Sequence, residues 1–216
     1  MREATIQRMA ISTIGVKILM AASGLMMSGW LVAHLGGNLM VFFGPETIND
    51  YGHKLRSVPG LLWGMRLVLS VHLSSAFTLM RRNRSARAMR PNPVGRFWRQ
   101  AAARSMGLNG SLILVFLIYH VLHIYGPLHP SFIEGDIHHN LVAGLRSPLH
   151  AGVYLVGTLL MGIHLHHGLW STLRSLGVSG ATGRLDRWLN RGSRALGGLI
   201  TVGFLIPLFA AALGLI

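Results

Sequence analysis

Five stretches of this 216-residue chain, 18–43, 61–80, 106–125, 149–173 and 195–216, hold a single Lys, Arg, Asp or Glu between them, Arg66. A helix needs about twenty mostly apolar residues to cross the hydrocarbon core of a bilayer, where each backbone polar group must find its partner within the segment. The pattern predicts an all-α fold: an integral membrane bundle of five transmembrane helices, with residues 1–216 forming one transmembrane domain. Composition agrees. Only 12% of the residues are charged, against about a quarter in a soluble domain.

The charges that remain are sorted between loops. Arg2, Arg8 and Lys17 precede the first stretch. Arg81, Arg82, Arg84, Arg87, Arg90, Arg96, Arg99 and Arg104 lie between the second and third, with no acid among them. Arg174, Arg184, Arg187, Arg191 and Arg194 follow the fourth, against Asp186 alone. The other two loops set Lys54, Arg56 and Arg146 beside Glu46, Asp50, Glu134 and Asp136. Basic residues favour cytoplasmic loops, so the expected topology has a cytoplasmic N-terminus and an outer C-terminus. The net charge of +14 then reflects orientation and anionic lipid headgroups rather than nucleic acid. Segments 44–60 and 126–148, rich in Pro, Gly, Asn and Asp, read as turn-forming loops. The first ten residues lack the apolar core and cleavage site of a signal peptide.

There is no cysteine, which excludes thiolate-held iron–sulfur clusters, disulfides and covalent c-type haem. Histidine is the notable polar residue of the apolar stretches, among them His34, His72, His120, His123, His164, His166 and His167. Ionisable residues at membrane depth are costly and mark candidate sites, although any one of them can also serve as a hydrogen-bonding contact between helices.

Depth separates the two readings. At 1.5 Å per residue, Lys17 to His34 and Arg104 to His120 each span roughly 25 Å, in the outer half. Arg81 back to His72 and Arg174 back to His164 each span roughly 15 Å, in the inner half. Two pairs on four helices, about 10 Å apart in depth, match the needs of two stacked bis-histidine haems, because each iron takes an imidazole from either side. Gly37, Gly157 and Gly168 supply small residues where a flat macrocycle lies against backbone. His123 and His167 lie one turn from His120 and His164 and are the alternatives. With His166, they otherwise read as interfacial, propionate-contacting or supporting groups. The cluster His164-Leu165-His166-His167 also raises a histidine-lined metal transporter, a reading that leaves His34, His72 and His120 unexplained.

These residues give the chain a family likeness. Met20-Ala21-Ala22-Ser23-Gly24, then His34-Leu35-Gly36-Gly37-Asn38-Leu39, open it. Phe42-Phe43-Gly44-Pro45-Glu46 follows, through Asn49, Tyr51, His53, Leu55 and Arg56, and then His164 with Gly168-Leu169-Trp170 and Leu176-Gly177. Together they resemble the cytochrome b membrane-anchor subunit of the succinate dehydrogenase and fumarate reductase family, in its single-chain, five-helix, two-haem form. The resemblance covers nearly the whole chain.

It implies two haem b groups, the cytoplasm-proximal one held by His72 and His164 and the distal one by His34 and His120, in agreement with the depth pairing. It further implies a flavoprotein (FAD) subunit and an iron–sulfur subunit as partners, a membrane quinone (menaquinone above all) as electron acceptor or donor, and a bacterial cytoplasmic membrane. It leaves room for a higher oligomer of the complex. Lacking cysteine and a dinucleotide fingerprint, the chain is expected to relay electrons without handling the dicarboxylate itself. Candidate quinone or propionate residues are Glu46, Asn49, Tyr51, His53, Arg56 and Arg66. The runner-up is the haem b subunit of another respiratory complex, of nitrate reductase or hydrogenase type.

Overall fold

The computed structural model describes residues 12–88, 96–128, 130–178 and 183–216, with side chains except at 86–88 and 96–104. Arg2, Arg8 and Arg90 lie outside the described residues, as do the side chains of Arg87, Arg96, Arg99 and Arg104. The described residues form α1 (Thr13–Leu39), a 3-10 turn (Met40–Phe43), α2 (Pro45–Ser57), α3 (Leu61–Ala88), α4 (Arg96–Tyr125), α5 (Ile137–Leu145), α6 (Pro148–Ser175) and α7 (Arg184–Ala212), with no strand among them.

Five of these helices are long and apolar enough to span a membrane: α1 with its 3-10 extension, α3, α4, α6 and α7. The chain is a multi-pass membrane protein. Its outward surface agrees, with large apolar side chains such as Leu67, Val115, Leu149 and Leu199 exposed, as a lipid-facing surface requires. The spans start and stop where local chemistry directs. Ser12 caps α1 by accepting from the Gly15 N–H at 3.0 Å. Gly44, at φ 97°, turns the chain out of the 3-10 segment in a conformation that an L-residue rarely adopts, and Pro45 then opens α2. The last helix begins at Arg184 rather than at 195. Charged residues extend it toward water, where helix periodicity persists without apolarity.

The two outer segments are not turns alone. Each folds into a short helix, α2 and α5. Pro45 at the helix start, Glu46 in the first turn, and Lys54 and Arg56 in the last turn are favourable terminal choices for α2. Asp136 caps α5 by accepting from the His139 N–H at 2.9 Å. Apolar residues spaced along both, Ile48, Leu141, Val142 and Leu145, are buried. With Val41, Ile124, Tyr154, Leu208 and Ala211 they form the main hydrophobic cluster, so the apolar core sits at this end of the bundle.

Helices pack closely in the order α3–α1–α6–α7, and α4 lies against α6. The α6–α7 crossing is tight because glycines face it: a Cβ on Gly197 would lie 3.2 Å from the Gly162 carbonyl, and one on Gly162 would collide with Thr201. Basic residues gather at one end. Arg82 donates to Thr13 Oγ1 at 3.2 Å, joining the end of α3 to the start of α1. Arg174 lies 3.8 Å from Asp186, joining the end of α6 to the start of α7. This end is called inner below, and the end carrying α2 and α5 outer.

Candidate functional site

Between the ends, the membrane-depth histidines meet in two pairs. The rings of His34 on α1 and His120 on α4 are 5.7 Å apart, centre to centre. Those of His72 on α3 and His164 on α6 are 6.4 Å apart. The helices bearing each pair, α1 with α4 and α3 with α6, are not among those whose backbones pack closely. The side chains therefore reach toward each other across a gap between backbones.

That separation suits a shared metal. An ion held between two imidazoles at about 2 Å from each nitrogen places the ring centres about 6 Å apart. Two neutral imidazoles per pair, with no carboxylate, are the donor set of a low-spin haem iron. The residues fit the group. Among the described residues, no cluster of three or more His, Asp or Glu side chains is arranged to hold a metal ion.

Iron ligation through Nε2 requires the proton on Nδ1, and the partner of Nδ1 decides this. Ser23 provides it for His72, with its Oγ 3.1 Å from Nδ1. The hydroxyl proton of Ser23 is directed to the Leu19 carbonyl at 2.7 Å, so Oγ accepts from His72. For His120 the partner is Tyr154, whose hydroxyl is 3.1 Å from Nδ1. The remaining two ligand candidates are less prepared. His164 Nδ1 is buried without a hydrogen-bond partner. His34 Nε2 accepts from the Asn38 amide at 3.2 Å, one turn along its own helix, so this nitrogen is engaged in the structure.

The alternatives one turn away make further contacts. His123 is wholly buried, bonds the Tyr154 hydroxyl through Nδ1 at 2.8 Å, and stacks on Tyr119. It is a core residue at this end, not an interfacial one. His166 is 3.0 Å from Asn190 on α7, and the His167 ring lies 4.7 Å from that of His166. His164 and His167, three residues apart, share a face of α6, while His166 lies on another.

The glycines differ from expectation. A Cβ on Gly37 would strike the Tyr51 ring and one on Gly157 the Phe116 ring, so aromatics of the chain itself cover both. Gly168 has nothing near it, whereas Gly24 and Gly110 lie beside His72 and His164.

The outer candidates serve several purposes. Asn49 donates to Asp136 Oδ1 and accepts from the His138 N–H, both at 2.9 Å, clamping α2 to the start of α5. The Asp136 carboxyl is held below the usual aspartate range, first by the His139 N–H, then by Asn49. Tyr51 lies against α1, with its hydroxyl 3.5 Å from the Ala33 carbonyl. Arg56 bonds His53 Nδ1 at 3.0 Å and lies over the Tyr125 ring. Arg66 stacks on Trp63, itself 72% exposed, an outward interfacial pair away from the histidines. Glu46 is exposed in the first turn of α2.

Ser23, Tyr154 and Asn38, which bond the paired histidines, were not singled out for those contacts from sequence. Each left a signal: a hydrogen-bonding side chain at membrane depth, at a helical position able to reach a histidine. No protein-family model, curated protein or solved structure matches the chain.

Proposed function

We propose that the chain is the haem b-carrying anchor of a bacterial succinate dehydrogenase or fumarate reductase, set in the cytoplasmic membrane. It relays electrons between an iron–sulfur subunit and a membrane quinone, with menaquinone the leading candidate. The observation that carries this reading is the meeting of four histidines from four helices in two pairs, each at the spacing of one iron. The basic residues support an N-terminus on the cytoplasmic side, with the inner end toward the partner subunits.

His72 and His164 would hold the cytoplasm-proximal haem and His34 and His120 the distal one, and each haem would supply a one-electron carrier. Ser23 and Tyr154 keep the Nδ1 protons of His72 and His120 in place, leaving Nε2 available. The apolar helix walls exclude water around the ligands. Arg81, Arg82, Arg84 and Arg174 form a cationic inner surface suited to docking the iron–sulfur subunit, with the flavoprotein subunit beyond it. On the outer side, Tyr51, against the helix that carries His34, is the candidate best placed to meet a quinone.

The test is a dithionite-reduced minus oxidised spectrum of the chain purified with its partner subunits, with haem quantified per polypeptide. Two low-spin b-type haems per chain are expected. A haem-free protein isolated with its partners from haem-sufficient cells overturns the reading.

A further inference from the structure

Behind the His120–Tyr154 bond stands a second imidazole, that of His123, which is not one of the proposed ligands. Tyr154, 8% exposed, sits between two imidazoles, its hydroxyl 3.1 Å from His120 Nδ1 and 2.8 Å from His123 Nδ1. A phenol has one proton to give and can accept at its oxygen. Two polarities are therefore open. If Tyr154 donates to His120, the His120 proton moves to Nε2 and blocks iron ligation. If His120 donates to Tyr154, the phenol proton is free to go to His123 Nδ1, and His120 presents a bare Nε2.

We infer that His123 is a positioning residue for the distal haem: by accepting the Tyr154 proton it orients the chain of bonds His120→Tyr154→His123 and makes His120 an electron-rich axial ligand. The inference rests on the two-haem reading. The surroundings are closely packed. The His123 ring stacks on Tyr119 with planes 8° apart, and its far edge lies against Gly144, where a Cβ would collide with the ring. His123 therefore has little room to turn its Nδ1 away from Tyr154. Buried polar side chains at this depth are costly singly and are stabilised when each satisfies the next. The inner pair has a shorter counterpart, Ser23 behind His72, whose own proton ends on a backbone carbonyl.

A donor bond from Nδ1 strengthens the imidazole as a ligand and favours ferric iron, so its loss raises the midpoint potential. The test is a redox titration, with electron paramagnetic resonance of the ferric haems, on the complex carrying Tyr154→Phe, His123→Leu or His123→Gln. Tyr154→Phe is expected to shift the distal haem to higher potential and alter its low-spin signal, with the proximal haem unmoved. His123→Leu should give a smaller shift in the same direction, and His123→Gln, which keeps an acceptor, should return part of it. Tyr154→Phe keeps the ring and carries the test if the His123 variants fail to accumulate. Two haems with unmoved potentials and unchanged signals in Tyr154→Phe overturn the inference and leave the two-haem reading standing. A wild-type complex without haem overturns both.

Discussion

His34 and His120 lie beneath a roof made by the chain itself. The helices α2 and α5 close over the outer end, Asn140 ties the intervening loop to α4 through bonds to the Ile124 and Ile133 carbonyls, and the main apolar cluster packs there. Phe116, Phe204 and Tyr154 surround the ring pair. Toward the other end, beyond His72 and His164, there is no comparable covering among the described residues. Instead an open cleft of about 510 Å³, lined by Ile14, Lys17, Ile18, Trp170, Ser171, Arg174 and Ser175, separates the start of α1 from the end of α6. Among the described residues, the outer half completes its own packing, while the inner half presents charge and an open cleft. Under the proposed function, this is the division of labour expected: a partner subunit would finish the inner half.

The severest test of the comparison is to remove ligands one at a time. Alanine at His72 or His164 is expected to abolish one haem, and alanine at His34 or His120 the other, leaving about half the haem per chain by pyridine haemochrome assay, because an iron with one axial imidazole loses its low-spin closure. If the outer half is self-supporting, the His72 and His164 variants retain a distal haem with unaltered potential. Loss of both haems from any single variant would mean that the two sites fold as one unit.

A smaller effect is expected from Gly144→Ala. The added methyl falls on the His123 ring, and overpacking of this kind costs about 1–3 kcal/mol. Thermal unfolding in detergent should therefore drop, with the distal haem released before the proximal one. Gly29→Ala, whose new methyl meets nothing, is the control and should be near neutral. Equal loss in the two variants would show that the outer roof is not tightly packed.

Much of this was legible in the sequence, and the reasons are physical. The spans were readable because a bilayer tolerates no unsatisfied backbone, so twenty uncharged residues leave few alternatives. The pairing of His34 with His120 and His72 with His164 was readable because the helical rise is fixed and basic residues mark the membrane boundary. The loop helices were not. Their apolar positions are too few to signal periodicity, and Pro45 and Asp136 read equally well as turn residues. Nor was the role of Gly37 and Gly157, since a small residue admits a macrocycle or a neighbouring aromatic ring equally, and only the packed side chains distinguish them. The clamp made by Asn49 was not legible either. Its partners, Asp136 and His138, are close in space but remote along the chain.

The clamp between α2 and α5 gives a milder probe of the roof. Asp136 is depressed relative to the ordinary aspartate value of about 3.9, so its contribution to stability is fully present above that value and is lost as pH falls through the lower, folded pKa. Acidification through this window should lower the unfolding temperature of the wild type more than that of Asp136→Asn, which has no charge to lose. Asn49→Ala should cost about 1–3 kcal/mol at neutral pH by stranding the carboxylate and the His138 N–H. An identical acid profile in wild type and Asp136→Asn would remove the carboxylate from the clamp.

The finest distinction concerns the inner pair alone. Ser23→Ala removes the acceptor of His72 Nδ1, and in a neutral pair of this kind the net cost in stability is about 1 kcal/mol. Haem content should stay at two per chain, because Ser23 touches no ligating nitrogen. The proximal potential should rise slightly and the distal potential should not move, since the Tyr154 bond to His120 is untouched. Ser23 backs the inner ligand through one bond that ends on a backbone carbonyl, whereas Tyr154 passes its proton to a second imidazole, so the rise should be smaller than in Tyr154→Phe. A Ser23→Ala protein in which both potentials shift together would mean that the proximal and distal ligands are coupled through the α1–α3 contact, and the separation of an open inner half from a closed outer half would fail at the level of the ligands themselves.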